Sequence, residues 1–130
     1  MRYFGGKAKI AKELSGVLNN YLIGNDKPFI DAFCGSCNVI SKIDSNRIRI
    51  ANDKHKELIA MWQWVKEMGV DRLPTDVSKE LYYYIKTSTT SPDWLKGLLV
   101  LVAHLVVSGG VGMPHLITKK ETMLRMQLTQ

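Results

Sequence analysis

The chain has 130 residues, carries a net charge of +6 and is 45% hydrophobic. This length predicts one domain or a piece of one, and the apolar fraction is ordinary for a globular protein. No apolar run reaches the roughly 18 residues that a membrane span needs, and the basic N-terminus has no apolar signal core. We therefore predict a cytoplasmic protein with no membrane partner. The positive charge permits a polyanionic partner, but a basic protein without a nucleic-acid partner stays an alternative.

The N-terminal half alternates predicted helices and strands. A helix is predicted over residues 7–23, a turn over 24–28, a short buried strand over 29–33 and a helix over 38–43. The first helix has an apolar face formed by Ile10, Leu14, Val17, Leu18 and Tyr21.

A second strand is predicted over 47–51, and the third helix over 54–68, ended by Gly69. That helix has Leu58, Met61, Trp62 and Val65 on one face. The order helix, strand, helix, strand, helix predicts an α/β fold with a parallel sheet and crossover helices. A ligand site is then expected at the carboxyl ends of the strands.

Small and acidic residues lie at these strand ends. The first strand leads into Asp31-Ala32-Phe33-Cys34-Gly35-Ser36, and the second ends in Asn52-Asp53. An acid roughly 20 residues after a glycine loop is suited to accept two ribose hydroxyls. The alternative is structural, with Gly35 forming only a turn and Asp53 only capping the next helix.

The two cysteines, Cys34 and Cys37, form a Cys-x-x-Cys pair. A structural zinc site needs four ligands, and the three histidines form no spaced pair. A thioredoxin-like redox pair is an alternative. We favour two small residues in a tight loop that faces a ligand or the core.

The second half begins with a short helix predicted over 77–86, with Ser78 near its start. Its three consecutive tyrosines cannot all face one side; stacking on nucleic-acid bases is one use for them, and packing is the favoured one. A polar linker follows over 88–91, and residues 94–107 are apolar on nearly all sides. From Ser108 the chain is glycine-rich, then polar, without a clear period.

An aromatic and glycine motif, Arg2-Tyr3-Phe4-Gly5-Gly6-Lys7, precedes the first helix. Together with the segments 31–36 and 51–59, it resembles the Dam-type adenine-specific (N6) DNA methyltransferases over about residues 1–98. The resemblance implies a partial, incomplete Rossmann-like S-adenosylmethionine-dependent methyltransferase sheet. It also implies S-adenosyl-L-methionine as cofactor and methyl donor, and double-stranded DNA as partner.

The resemblance implies a cofactor-binding set of Tyr3, Gly5, Gly6, Lys7, Asp31, Phe33, Gly35 and Asp53. Tyr3 matches an aromatic cofactor contact, the glycines allow close backbone approach, and Lys7 matches a lysine near the methionine carboxylate. Asp53 would accept the ribose hydroxyls, while residues 31–35 shape the loop beneath the cofactor. Two positions depart from the family pattern, with Ala32 in place of a common Pro and Cys37 in place of a frequent Gly.

The family's catalytic motif is missing from this sequence. These enzymes flip a target adenine out of the duplex, and an Asp-Pro-Pro-Tyr-type motif receives it. The four prolines of the chain are never adjacent. The segment Ser91-Pro92-Asp93-Trp94 has the right residues in the wrong order and is predicted to begin a helix. We therefore assign no catalytic residue and expect no methyl transfer from this chain alone.

We predict that a frameshift near codons 96–99 accounts for this absence. In the family a stretch of the type Gly-Phe-x-Cys-Ser-Phe-Gly-Gly-Lys-Trp-x-Gly-Gly-Tyr-Ala follows at this point. Permitted codons for residues 99–114, moved back by one base, spell Gly-Phe-Gly-Cys-Ser-Phe-Gly-Gly-Lys-Trp-Trp-Gly-Gly-Tyr-Ala. Residues 118–123 similarly yield Lys-Lys-Gly-Asn-Tyr-Ala. The predicted organisation is a cofactor-binding α/β core over 1–70, the start of a helical target-recognition region over 71–98, and an out-of-frame tail over 99–130.

Two other functions stay open. The chain could be a non-catalytic S-adenosylmethionine- or DNA-binding protein, pairing with a full-length methyltransferase or with itself through an exposed sheet edge. Alternatively, a second polypeptide could supply the missing motif.

The coding DNA tests the frameshift directly. We expect the neighbouring frame, entered near codons 96–99, to run on into an Asp-Pro-Pro-Tyr-type sequence. Sequencing the gene and its downstream region measures this, and a neighbouring frame closed by early stop codons would refute the prediction.

Overall fold

A computed structural model of the chain describes residues 7–74, 77–107 and 126–129. Four helices and three strands lie in these ranges: α1 (Ala11–Tyr21), β1 (Phe29–Asp31), β2 (Arg49–Asn52), α2 (Lys56–Met68), α3 (Lys79–Thr87), α4 (Asp93–Val107) and β3 (Met126–Thr129). Single 3₁₀ turns occur at Ile40–Lys42 and Val70–Arg72. None of the helices in the described ranges is long and apolar enough to cross a membrane.

The strands form one small parallel sheet in the order β1-β2-β3. Phe29 lies beside Arg49 and Asp31 beside Ala51, while Ala51 also lies beside Leu128. The predicted parallel pairing of the first two strands is therefore confirmed. This mixed arrangement is compatible with an incomplete α/β fold. The third strand comes from the segment predicted to be out of frame, and it covers one edge of β2.

The core forms where α2 and α4 pack together, and Ala51 of β2 belongs to the same buried cluster. The predicted apolar face of α2 is confirmed, since all four of its side chains are buried, together with Ile59. Gly69 ends the helix at φ +89° with its N–H donated to Val65 O. Trp64 of α2 stacks on Trp94 of α4, with ring centroids 4.2 Å apart. These contacts make α2 the best-anchored helix of the described chain.

The predicted face of α1 is confirmed only in part, because Leu14 and Leu18 are half-buried while the other three predicted side chains are exposed. Val17 and Tyr21 are 67% and 83% exposed, Ile10 is also exposed, and the buried residues are Ala11 and Ser15. The helix approaches the 3₁₀ turn at 40–42 through this small-residue side. Asn19 fastens it there, because its amide donates to Lys42 O at 3.0 Å and its Oδ1 accepts from the Asp44 N–H at 3.1 Å. The buried stripe of α1 therefore shares Leu14 and Leu18 with the predicted face, but it is centred on Ala11 and Ser15 rather than on the larger side chains.

Two further predictions needed correction. The first strand is shorter than predicted and is not fully buried, since Ile30 is 61% exposed. The helix expected over 38–43 is only one 3₁₀ turn. It follows Cys37, whose positive φ of 56° is incompatible with a continuous helix, and the chain becomes extended again at Ile43.

The helical second half follows the sequence more closely. Ser78 caps α3 by accepting the Leu81 N–H at 3.2 Å, and Tyr83 and Tyr84 are exposed while Tyr82 is half-buried. The predicted start of a helix at 91–94 is confirmed by α4. This helix continues without a break through residue 99, and Leu99 and Leu101 are buried in the core.

Gly97 is the point of closest approach between α2 and α4. A Cβ placed there would lie 1.9 Å from Glu57 O and 2.9 Å from Met61 Cβ. Because the nearest atom belongs to the backbone, the two helices would have to separate. The absence of a side chain at this position is therefore a packing requirement.

We expect Gly97→Ala to destabilise the fold by at least about 1–3 kcal/mol through overpacking. Gly16→Ala is the matched control, because a Cβ at this helical glycine meets nothing within 4 Å. The control should gain about 0.5–1 kcal/mol from better helix propensity. Urea denaturation of both variants measures the difference, and a Gly97→Ala variant as stable as wild type would contradict this packing.

Candidate functional site

The carboxyl ends of β1 and β2 lie side by side and are joined by hydrogen bonds. Cys34 donates its backbone N–H to Asn52 O at 2.9 Å, and the Asn52 side-chain amide donates to Ala32 O at 3.2 Å. These contacts fold the segment after β1 over the end of β2. The sequence prediction that residues 34–37 and 52–53 lie together at the carboxyl ends of the strands is consistent with this arrangement.

Both polar backbone groups of Gly35 are held by side chains. Its N–H donates to Asp53 Oδ2 at 2.8 Å, and its carbonyl accepts the indole N–H of Trp62 at 2.9 Å. Asp53 lies directly after β2 and Trp62 lies within α2, so two later elements fix one glycine of the first loop. We refer to this arrangement as the Gly35 clamp.

Asp53 is not the helix cap that the structural alternative proposed. Its Oδ1 accepts the His55 N–H at 2.9 Å, and α2 begins only at Lys56, where the cap position makes no side-chain hydrogen bond. Each carboxylate oxygen thus accepts one backbone N–H. Because a carboxylate has about four acceptor sites, Asp53 retains capacity for hydroxyl donors.

The loop after Gly35 turns tightly. Cys37 donates its N–H to Cys34 O at 2.7 Å, and both Gly35 and Cys37 have positive φ values, of 50° and 56°. The left-handed region favours glycine. The family that this sequence resembles often has Gly at the position of Cys37. The positive φ at this position gives a physical reason for that glycine.

The cysteine pair is buried within the loop. Cys34 and Cys37 belong to the same apolar cluster, and neither forms a disulfide. Within the described residues no group of three or more His, Cys, Asp and Glu side chains could hold a metal ion. The positions agree with the favoured sequence interpretation of small loop residues packed into the core.

The surroundings of Asp31 shift the pKa of its carboxyl. Burial raises the pKa of its carboxyl above the usual value. The Phe33 N–H, donated to Asp31 Oδ1 at 3.3 Å, and the positive charge of Lys7 both lower this pKa, while the charge of Asp53 raises it. The charges of Lys7 and Asp53 therefore both act on the Asp31 carboxyl at this edge.

The remaining predicted site residues differ in accessibility. Lys7 is exposed, and the Phe33 ring is 76% exposed beside the loop. Tyr3, Gly5 and Gly6 lie outside the described residues. The structure thus brings five of the eight predicted residues to one region.

Sequence reasoning missed two residues of this region, Asn52 and Trp62. Asn52 was noted only as the neighbour of Asp53, and Trp62 only as part of an apolar face. A signal for Trp62 existed, because a buried indole N–H normally finds an acceptor. Nothing in the sequence identified Gly35 O as that acceptor.

The chain matches a known protein family. The family model described as D12 class N6 adenine-specific DNA methyltransferase matches residues 3–95. No curated protein and no solved structure matches the chain. The matched residues include all eight predicted site positions and every element from α1 to α3.

The raised pKa of Asp31 predicts a pH dependence of stability. The folded protein binds this proton more tightly than the unfolded chain, so the free energy of unfolding should fall as pH rises through the raised pKa. Asp31→Asn keeps an acceptor for Phe33 but cannot ionise. Its stability relative to wild type should therefore increase with pH over the same interval, as measured by urea denaturation.

A second variant tests the contribution of Lys7 to the pKa of Asp31. Lys7→Gln removes a charge that lowers the Asp31 pKa, so this pKa should rise further in a ¹³C-carboxyl titration by NMR. An Asp31 titration at or below its ordinary value in wild type would overturn the electrostatic description.

Proposed function

The chain belongs to the D12 class of N6 adenine-specific DNA methyltransferases, and from that membership we propose that the edge formed by Asp31, Gly35 and Asp53 binds S-adenosylmethionine. Methyltransferases of this kind generally use this cofactor, and the family acts on DNA. One observation carries the proposal: the Asp53 carboxylate holds the Gly35 N–H at 2.8 Å. That bond builds a shaped loop where α/β sheets bind ligands. We also propose that the small sheet is part of a Rossmann-like methyltransferase sheet.

The chemistry of the side chains at this edge fits the cofactor. Asp53 has acceptor capacity for ribose hydroxyls, Phe33 offers an exposed aromatic face, and Lys7 carries a positive charge suited to a carboxylate. The half-buried Asp31 adds a negative charge that favours a cationic ligand. Burial raises the pKa of this carboxyl, while the Phe33 N–H and the charge of Lys7 act against that rise.

Each group then has a distinct task. When bound, the cofactor supplies an electrophilic methyl group on a sulfonium centre. Asp53 orients the ribose and holds the loop, while Gly35 and Cys37 give the backbone the turn that close approach requires. The loop's fixed shape reduces the entropy that binding would otherwise lose.

The sequence lacks the motif that binds the target adenine in this family. The 130-residue sequence contains no acid-Pro-Pro-aromatic motif, since none of its four prolines neighbours another. We therefore propose that this chain holds the methyl donor without transferring a methyl group by itself, as expected for a form altered by a frameshift.

A second candidate function is completion by another polypeptide. Within the described sheet, β1 pairs along one edge only, and Ile30 on it is largely exposed. Parallel sheets are normally covered on both faces, and an unpaired edge strand can pair with another chain. A full-length methyltransferase that supplies the adenine-binding motif is the partner this candidate requires.

Calorimetry with S-adenosylmethionine tests cofactor binding. We expect saturable heat with wild type and at least a tenfold weaker affinity for Asp53→Ala, because the variant loses the clamp and the ribose acceptor. Asp44→Ala is the matched control. Asp44 also accepts a backbone N–H two residues on, from Asn46 at 3.0 Å, but at a separate surface turn. Its affinity should stay within twofold of wild type.

Absence of heat with the folded wild-type chain would refute the cofactor proposal. A methyl-transfer assay on adenine-containing duplex DNA completes the test. We expect no incorporation from the chain alone, and incorporation by it would overturn the proposed inactivity. Activity that appears only on adding a full-length partner with an inactivated donor site would favour the second candidate.

A further inference from the structure

The Gly35 clamp fixes two consecutive peptide planes. The plane between Cys34 and Gly35 is held through the Gly35 N–H by Asp53, and the plane between Gly35 and Ser36 is held through the Gly35 carbonyl by Trp62. Since peptide units are planar, fixing both planes fixes the dihedral angles of the glycine between them. The positive φ of 50° at Gly35 is the conformation that results.

The two halves of the clamp have different origins. Asp53 belongs to the edge that meets the ligand, whereas Trp62 is only 1% exposed and lies among the packed side chains of α2. Its indole is therefore placed by the core rather than by the ligand. The packing around α2 therefore places the Trp62 indole N–H, and this N–H orients the carbonyl of the Gly35–Ser36 peptide.

We propose that Trp62 is a positioning residue for the cofactor loop, acting through its indole N–H rather than through its bulk. The inference rests on the proposed function, because it concerns the loop to which we assign S-adenosylmethionine. With this N–H present, the loop is held in its binding conformation before the ligand arrives. Without it, the Gly35 carbonyl keeps only the long contact from Cys37 Sγ at 4.0 Å among the described residues, and ligand binding must restore the lost order.

The sharpest test replaces only the donor. Incorporating 3-benzothienylalanine at position 62 keeps a bicyclic ring of nearly the same shape but puts sulfur where Trp62 has N–H. We expect faster amide exchange and shifted amide signals at Gly35 and Ser36 by NMR. The S-adenosylmethionine affinity should fall about 3- to 10-fold, as for loss of one neutral hydrogen bond. The thermal midpoint should change little, because the packing is retained.

Two variants made with natural amino acids complement that experiment. Trp62→Phe also removes the donor and should give the same loop signature, with an added loss of stability from the smaller ring. Trp64→Phe is the matched control, because Trp64 stacks on Trp94 instead of contacting Gly35. This variant should be less stable than wild type. Its amide signals at Gly35 and Ser36 should be unchanged, and its S-adenosylmethionine affinity should stay within twofold of wild type.

The outcomes separate the inference from the proposed function. Unchanged Gly35 and Ser36 amides in the benzothienyl variant overturn the inference, and so do altered amides with unchanged affinity. If wild type binds no S-adenosylmethionine, the proposed function fails. In that case the amide signals of the benzothienyl variant alone test whether the Trp62 N–H positions the loop. The Gly35 and Ser36 signals must still change if it does.

Discussion

The hydrogen bond from the Gly35 N–H to the Asp53 carboxylate is the contact on which the candidate site depends. It joins the loop after β1 to the end of β2 at 2.8 Å, and a charged acceptor makes it stronger than a bond between neutral groups. The same carboxylate holds the His55 N–H just before α2 begins. One side chain therefore sets the glycine loop and the start of the helix that carries Trp62.

The packing of α2 against α4 supports that arrangement, because α2 carries Trp62. Gly97 lets the two backbones approach, and the Trp64–Trp94 stack adds an aromatic contact between them. Residues 99 and 101 take part in this core although they fall within the predicted out-of-frame tail. Apolar side chains of suitable size can fill a core without having been selected for it. The continuity of α4 is thus compatible with a change of reading frame near residue 99.

The charges at the sheet edge suit a donor-binding role. Asp31 is desolvated, and Lys7 and Asp53 act on it in opposite directions, so the region is neither uniformly acidic nor basic. S-adenosylmethionine carries both signs of charge together with a diol and an aromatic base. The family match covers this whole edge, whereas the motif that would present adenine is absent from the sequence.

The sequence alone determined the helices α1, α2 and α3, the strands β1 and β2 with their parallel pairing, the buried face of α2 and the identity of the strand-end residues. These follow from local signals: hydrophobic period, the Ser78 cap, Gly69 at a helix end, and an acid after a strand. Only the tertiary structure decided that α1 buries Ala11 and Ser15 instead of its larger side chains. It also decided that Asp53 binds the Gly35 N–H instead of capping a helix, and that Trp62 completes the clamp. A pattern in one segment states which side chains prefer burial, but the partner of each polar group depends on segments 18 to 27 residues away in the chain.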